Sequence, residues 1–442
     1  MAKEQKKTLY AFIRYASFSV LGMLGVSCYI LADTFFVARG MGSDGLAALN
    51  LAIPVYNLIH GCALMFGMGA ATKYAIYQGQ KEQEKTDRLF TNTLYFTLFF
   101  ALLFVAAGVV FPETLARWLG AEGEVLTMTT IYLRWLLLFA PAFMFNEVFL
   151  CFVRNDGGPR ISMIAMLVGS FANIFLDYLF IFPCRMGIFG AIFATGLSPV
   201  ISMVIMSSYL RQKKNHFHLK KTRWKWEIFR QTCLLGFPSF LGQVSTGIVM
   251  VTFNFLILGL AGTIGVAAYG VVANISLVVV AVYTGISQGM QPLVSRYYGV
   301  LDRKSVREVY GYAQKTTKII SGLLYLGLFL FAPVIAALFN HEGNAAMHEM
   351  AVEGIRIYFL SSCFVGYNTV VSQFFPSVDK PLPAHILSLL RGLLLVVPLA
   401  FLLSGLFGMK GIWLICPVTE CVVAGIGSLF YLRWKKNQEK SG

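Results

Sequence analysis

The sequence predicts an all-α polytopic membrane protein: twelve transmembrane helices in two six-helix lobes related by a pseudo-two-fold axis along the membrane normal. Three observations predict it. The 442 residues are 57% hydrophobic and only 13% charged, against about 25% charged in a soluble domain. The charges are confined to short punctuations between apolar runs of about 20 residues or more, the length that crosses a bilayer as helix. Finally, the segment pattern recurs at an offset near 220 residues.

In chain order the spans fall near 10–37, 46–77, 90–111, 126–153, 160–183, 187–210, 229–258, 265–295, 316–339, 351–375, 382–404 and 411–433. Uninterrupted runs suit helices; barrel strands would alternate apolar and polar residues. The first run is too long for a signal peptide and lacks a small-residue cleavage site, so no cleavable signal is expected. With the N-terminus assigned to the cytoplasm, 27 of the 36 Lys and Arg residues fall on the cytoplasmic side, 4 on the opposite side and 5 inside spans. This split follows the positive-inside rule and predicts both termini in the cytoplasm, in a multi-pass protein of the inner (plasma) membrane. Topology therefore accounts for the formal net charge of +15, and a nucleic-acid partner is not needed. The eight cysteines lie in or at the edges of spans, without metal-ligand spacing, and read as small apolar residues.

The repeat is visible in short matches whose order is conserved. "GLAALN" at 45–50 meets "GVAAYG" at 265–270, Gly69 falls on Gly289 and Gly79 on Gly299, all at offset 220. "GIFGAI" at 187–192 meets "GMKGIW" at 408–413 at offset 221, and "LRQKK" at 210–214 meets "LRWKK" at 432–436 at offset 222. The expected organisation is an N-terminal lobe at 1–210 holding helices 1–6, a basic cytoplasmic linker at 211–227, and a C-terminal lobe at 228–442 holding helices 7–12. An even number of spans per half gives both halves one orientation, with any substrate path at their interface. The linker, "RQKKNHFHLKKTRWKWE", reads as a solvated connection resting on anionic lipid through Trp224 and Trp226. Its His216 and His218 lack partners for a metal site.

Duplication supplies a control for intramembrane polar residues. Asn173 and Asp177 are four apart, on one helix face, and they align with Leu395 and Leu399 in the second half. Asp33 aligns with Phe253 and Thr195 with Cys416. The second copy folds without these groups, so they are candidates for function. An ionisable group at the bilayer centre costs about 2.5–3.5 kcal/mol on insertion scales. Two carboxylates close together in a low-dielectric cavity would not both stay ionised. The pair would hold a proton or be neutralised by a monovalent cation such as Na⁺, with Asn173 and Thr195 supplying neutral oxygens. Secondary candidates are Glu147, Gln243, Gln288, Asn368 and Glu420, the last with a pairing to Arg391 as its structural alternative. Gly285 and Gly289 form a GxxxG pair suited to close helix packing. No phosphate loop, no H-E-x-x-H, no G-x-S-x-G and no sizeable soluble domain is found, so an enzyme is not expected and no cofactor beyond a coupling ion, H⁺ or Na⁺, is implied.

These residues carry a resemblance. With "ADTFFVARG" at 32–40, "FVRNDGGP" at 152–159 and N-x-x-x-D at 173–177 followed by Thr195, the chain resembles the multidrug and toxic compound extrusion (MATE) family over its full length, in its DinF-like branch. The resemblance implies a cation site at Asp33, Asn173, Asp177 and Thr195, and an antiporter exporting lipophilic organic cations in exchange for H⁺ or Na⁺; a monomer in the lipid bilayer is expected. The chain departs from other branches. Helices 7 and 10 offer Gln243 and Asn368 where those branches hold acids, and no proline lies between Leu9 and Asp33, so bending of helix 1 would fall at Gly22 or Gly25. The alternative is a flippase for a lipid-linked precursor, which needs a cavity rich in Arg and Lys; Arg391 and Lys73 are the candidates. A membrane-embedded enzyme or sensor finds no nucleophile–base pair.

Overall fold

The computed structural model describes residues 2–340 and 343–440. Its elements are α1 (Ala2–Gly79), α2 (Gln83–Val110), α3 (Pro112–Trp118), α4 (Gly123–Leu138), α5 (Ala140–Asn155), α6 (Pro159–Ile181), α7 (Gly187–Arg211), α8 (Trp226–Gly299), α9 (Arg303–Phe339), α10 (Ala345–Tyr358), α11 (Ser362–Ser377), α12 (Leu382–Leu389) and α13 (Val396–Lys440). No strand occurs among the described residues. A 3₁₀ turn, Phe359–Ser361, joins α10 to α11, and a π turn, Leu390–Leu394, joins α12 to α13.

Seven continuous helical stretches are long and apolar enough to cross a bilayer, and the pair α4–α5, bent by 47° at Phe139, forms an eighth. Three of the seven double back at a glycine: α1 at Gly42, α8 at Gly262 and the α12–α13 stretch at Gly408. Tyr29 and Tyr56, thirteen and fourteen residues either side of Gly42, bring their hydroxyls to 3.2 Å, so the two arms of α1 run antiparallel. The rings of Phe253 and Tyr269 meet at 5.5 Å across the Gly262 bend in the same way. With α10–α11 as one more pass, each half crosses six times.

The backbone carries the duplication more sharply than the side chains do. Gly42 (φ 64, ψ −151) and Gly262 (φ 60, ψ −152) are 220 apart and share a conformation nearly closed to residues with a Cβ. Left-handed backbone recurs at equivalent places further along: Lys81 and Leu301, Gly123 and Gly343, Gly157 and Asp379, Gly187 and Gly408. Helix breaks in one half therefore have partners in the other.

The two halves meet along α1 and α8, and the meeting obeys the same symmetry. A Cβ on Gly79 would lie 2.6 Å from the Arg296 carbonyl, and one on Gly299 would collide with the Ile76 carbonyl. This is one contact made twice, since 76 and 296 are also 220 apart. The GxxxG pair seats its backbone on the first arm of α1, with a Cβ at Gly285 or Gly289 falling 2.5 Å from the Cα of Val20 or Ala16. Phe12 and Ala16 belong to the C-terminal core, while Phe229 and Phe240 pack on the N-terminal core, so the foot of each first arm leans on the opposite half.

Gly22 and Gly25 lie on the side of α1 that faces α6. α1 is continuous helix through both. Each lets α6 approach: a Cβ there would stand 2.8 Å from Met166 Sδ or 2.7 Å from Leu167 Cδ2. The stretch 212–225 is likewise not a loose solvated connection. Phe217 is buried among Tyr74, Phe90 and Phe152, and the backbone N–H groups of His218, Lys220 and Lys225 donate to Asp87, Thr91 and Asn92 of α2. His216 docks on Asp156 through its backbone N–H and ring nitrogen, at 2.9 and 3.0 Å. The segment is a strap across the N-terminal half.

Candidate functional site

Contact between the halves is graded along the seam. On the side carrying most Lys and Arg, here termed the basic side, Gly69 seats on Thr232 and Gly236 on Met65, each with no room for a Cβ. One turn further from that side, a Cβ on Gly61 would lie 3.1 Å from Phe240 and 3.3 Å from Gln243. Beyond it, a Cβ on Gly247 would stand 3.6 Å from the Asn57 amide nitrogen, an ordinary contact, with nothing else of the opposite lobe within 4 Å. The lobes are shut on the basic side and part toward the other.

Polar bolts reinforce the shut side. Arg154 donates to Gln288 at 2.7 Å, Asn155 and Gln291 exchange hydrogen bonds at 3.0 and 3.1 Å, and Gln291 donates to Thr72 at 3.1 Å. Lys73 pairs with Asp379 at 2.7 Å. Arg154, counted with the loop charges in the sequence, is instead in the last turn of α5 and 3% exposed. No carboxylate faces it within salt-bridge distance among the described residues.

The four primary candidates sit together in the outer half of the N-terminal lobe. Asp33 comes from the first arm of α1, Asn173 and Asp177 from α6, and Thr195 from α7; all four are buried. Asn173 donates to Thr195 Oγ1 at 3.4 Å, and Thr195 donates to the Ala191 carbonyl at 3.0 Å. Both oxygens of Asp177, Oδ1 of Asp33 and Oδ1 of Asn173 have no hydrogen-bond partner. Asp33 and Asp177 are close enough for their charges to act on each other, and no Lys, Arg or His pairs with either among the described residues. Buried polar atoms are nearly always partnered, so these orphaned oxygens are free to accept a proton or a small hard cation. No group of three or more His, Cys, Asp or Glu suited to a metal ion occurs among the described residues.

Tyrosines that sequence reasoning passed over complete the surroundings. Tyr132 of α4 is buried near both aspartates. The hydrogen-bonded Tyr29–Tyr56 pair lies near Asp33 and Glu147. Tyr29 stands one turn before Asp33, an i, i+4 spacing that was available in the sequence.

The secondary candidates divide. Glu147 is half-buried on α5 and makes no hydrogen bond or ion pair among the described residues. Gln243 lies on the seam opposite Gly61, and Gln288 is held by Arg154. Asn368 donates to Glu420 Oε2 at 2.6 Å and to its carbonyl at 2.8 Å, while Arg391 pairs with Glu420 at 2.8 Å. Arg391 lies in the π turn, whose extra residue re-aims the helix face. Glu420 is thus bound by two partners in the C-terminal lobe, apart from the N-terminal aspartates.

Two six-pass lobes about a shared axis, closed at one end over buried acids without counter-charges, define a membrane transporter and not an enzyme. The family model MatE matches residues 19–179 and 238–402, and the chain belongs to the MATE family. It is 25% identical to the multidrug export protein MepA of Staphylococcus saprophyticus, over 99% of this chain and 97% of that protein. A multidrug resistance MATE family transporter of the MOP superfamily, in its outward-facing conformation, superimposes with a TM-score of 0.92 at 26% identity, covering 98% of this chain and 97% of that one. A MOP superfamily transporter from Pyrococcus furiosus, described as having a binding pocket of reverse polarity that suggests a different function, superimposes at 0.89 with 26% identity over 96% and 95%.

Proposed function

We propose that this chain is a secondary active multidrug exporter that expels lipophilic organic cations in exchange for H⁺ or Na⁺, by alternating access between its lobes. Asp33, Asn173, Asp177 and Thr195 form the coupling site, which holds the driving ion and gives it up as the cationic cargo is taken. The observation that carries this reading is the set of orphaned oxygens on Asp33, Asn173 and Asp177, buried with no internal cation. The export function named for the MepA relative supports the direction and the cargo class. The strong bias of Lys and Arg to one side supports a cytoplasmic basic side with both termini there, in the plasma membrane. The cleft then opens outward, the arrangement in which the driving ion would enter and cargo would leave. No second subunit is needed to complete the site, and the transporter works as a monomer.

The flippase alternative is disfavoured by the same contacts. It requires free cations to hold a pyrophosphate, and the two candidates are engaged: Arg391 by Glu420 and Lys73 by Asp379. The deciding experiment is uptake of a fluorescent lipophilic cation into proteoliposomes under separately imposed pH and sodium gradients, with wild type beside Asp33→Asn and Asp177→Asn. One gradient should drive uptake and either substitution should abolish it. Transport of normal rate in both variants would remove the aspartates from the coupling site.

A further inference from the structure

The cations Lys221, Arg223, Lys225 and Arg230 cluster where the strap runs into α8, and none of their side chains makes a hydrogen bond or ion pair among the described residues. Glu227, the one acid in this stretch, accepts from Gln231. Immediately beneath lies a groove of about 370 Å³ between the foot of α8 and α12, walled by Trp226, Phe229, Leu234 and Phe237, with Arg230 and His385 also on its rim. Trp226 is 66% exposed and stacks on Phe229 at 4.8 Å.

The far wall is fixed by a local necessity of the sequence. Pro238 has no N–H, so the Leu234 carbonyl four residues earlier loses its helical donor. His385 of α12 supplies one: its Nε2–H donates to that carbonyl at 2.6 Å, and its ring meets Phe237 edge-on at 5.3 Å. His385 thus ties α12 to the foot of α8 and fixes the position of the groove's far wall. The groove opens at the level where tryptophans mark a membrane interface. Its apolar wall continues toward the hydrocarbon, and the free cations and the positive end of α8 lie at its head.

We propose that this groove binds one anionic phospholipid of the basic-side leaflet, with an acyl chain along Trp226, Phe229 and Phe237 and the phosphate on Arg230, assisted by Lys225. The seat bears on the seam between the lobes. Phe229 forms one wall and also packs against Phe96 and Phe100 of α2, at 5.0 and 6.2 Å, while Gly236, about two turns up, rests on Met65. A lipid in the groove thus supports the shut basic side.

The test is native mass spectrometry of the full-length protein exchanged from dioleoylphosphatidylglycerol into a mild detergent, alongside dioleoylphosphatidylcholine. Wild type should retain one phosphatidylglycerol and lose phosphatidylcholine. Arg230→Gln with Lys225→Gln should raise the concentration for half-occupancy at least ~5-fold for each charge removed. Lys435→Gln with Lys436→Gln, which lowers the basic-side charge elsewhere, should leave it unchanged. Equal retention of the two lipids, equal loss in both double variants, or displacement by glycerol phosphate alone at the same concentration would each overturn the proposal.

Discussion

Replacing Asp379 with Asn removes one end of an ion pair that crosses the seam. Its Lys73 partner is 2.7 Å away, with the two side chains 13% and 37% exposed. At that distance the attraction runs from about 1.5 kcal/mol in bulk-water dielectric to about 6 kcal/mol at an effective dielectric of 20. Ordering and desolvating the two side chains offsets most of it, leaving about 1–2 kcal/mol for a half-shielded, charge-assisted bond. Lys73 keeps one other anchor, the Tyr77 ring at 5.4 Å, and the Arg154–Gln288 and Asn155–Gln291 bolts remain. Asp379→Asn should therefore raise the fraction of molecules open on the basic side by roughly 5–30-fold, without unfolding the protein. Ser295, fully buried beside Gln291, is a suitable reporter. In a background lacking the eight native cysteines and reconstituted in nanodiscs, Ser295→Cys should react with a polar maleimide in proportion to that open fraction. Lys73→Asp combined with Asp379→Lys should return labelling to within about 3-fold of the starting rate, since the pair is restored with reversed sign. Unchanged labelling in the single variant, or a swap that labels as fast as Asp379→Asn alone, would refute the assignment of this pair as a bolt.

Three further outcomes follow from the geometry. Gly42→Ala and Gly262→Ala should each lower stability by about 1–3 kcal/mol by forcing a Cβ into a glycine-only conformation, although open space surrounds both positions; equal losses in thermal midpoint would confirm that the cost is in the backbone. Gly236→Ala should drive the seam apart against the Met65 carbonyl, at about 1–3 kcal/mol, and should accelerate Ser295→Cys labelling where a lipid-facing Gly242→Ala does not. Thr195→Val removes the hydroxyl that Asn173 reaches, and should raise the ion concentration for half-maximal transport while Thr195→Ser retains it.

The bilayer makes the twelve passes legible, because a span must be long, apolar and internally hydrogen-bonded whatever it packs against. The grouping of Asp33, Asn173, Asp177 and Thr195 was legible for a related reason: intramembrane polarity is costly, and the second half shows which of it the fold can omit. Residues whose meaning lies in a partner were not legible. Gly69 and Gly79 were visible as repeats, but hydropathy does not say that each meets a carbonyl of the opposite lobe. His216 looked like a solvated histidine because Asp156, the acid that holds it, is sixty residues away. Arg154 looked like a loop charge because its burial comes from a second lobe closing over it. Gly42 and Gly262 share an offset that could be read in advance, yet nothing nearby in either sequence distinguishes a break from an ordinary small residue in a helix.

The graded seam has a mechanical consequence. A helix seated on bare backbone at one point and free at its far end is a lever with a fulcrum. From the Gly236 contact to the Gly262 bend is 26 residues, about 39 Å of helix, so a tilt of ~10° at the fulcrum carries the outer end about 7 Å. Sub-ångström changes of fit at Gly236, Gly69 and their symmetry mates are thereby magnified into the opening or closing of a passage, whereas the same change near Gly259 would move almost nothing. Small residues are worth most where the travel is least.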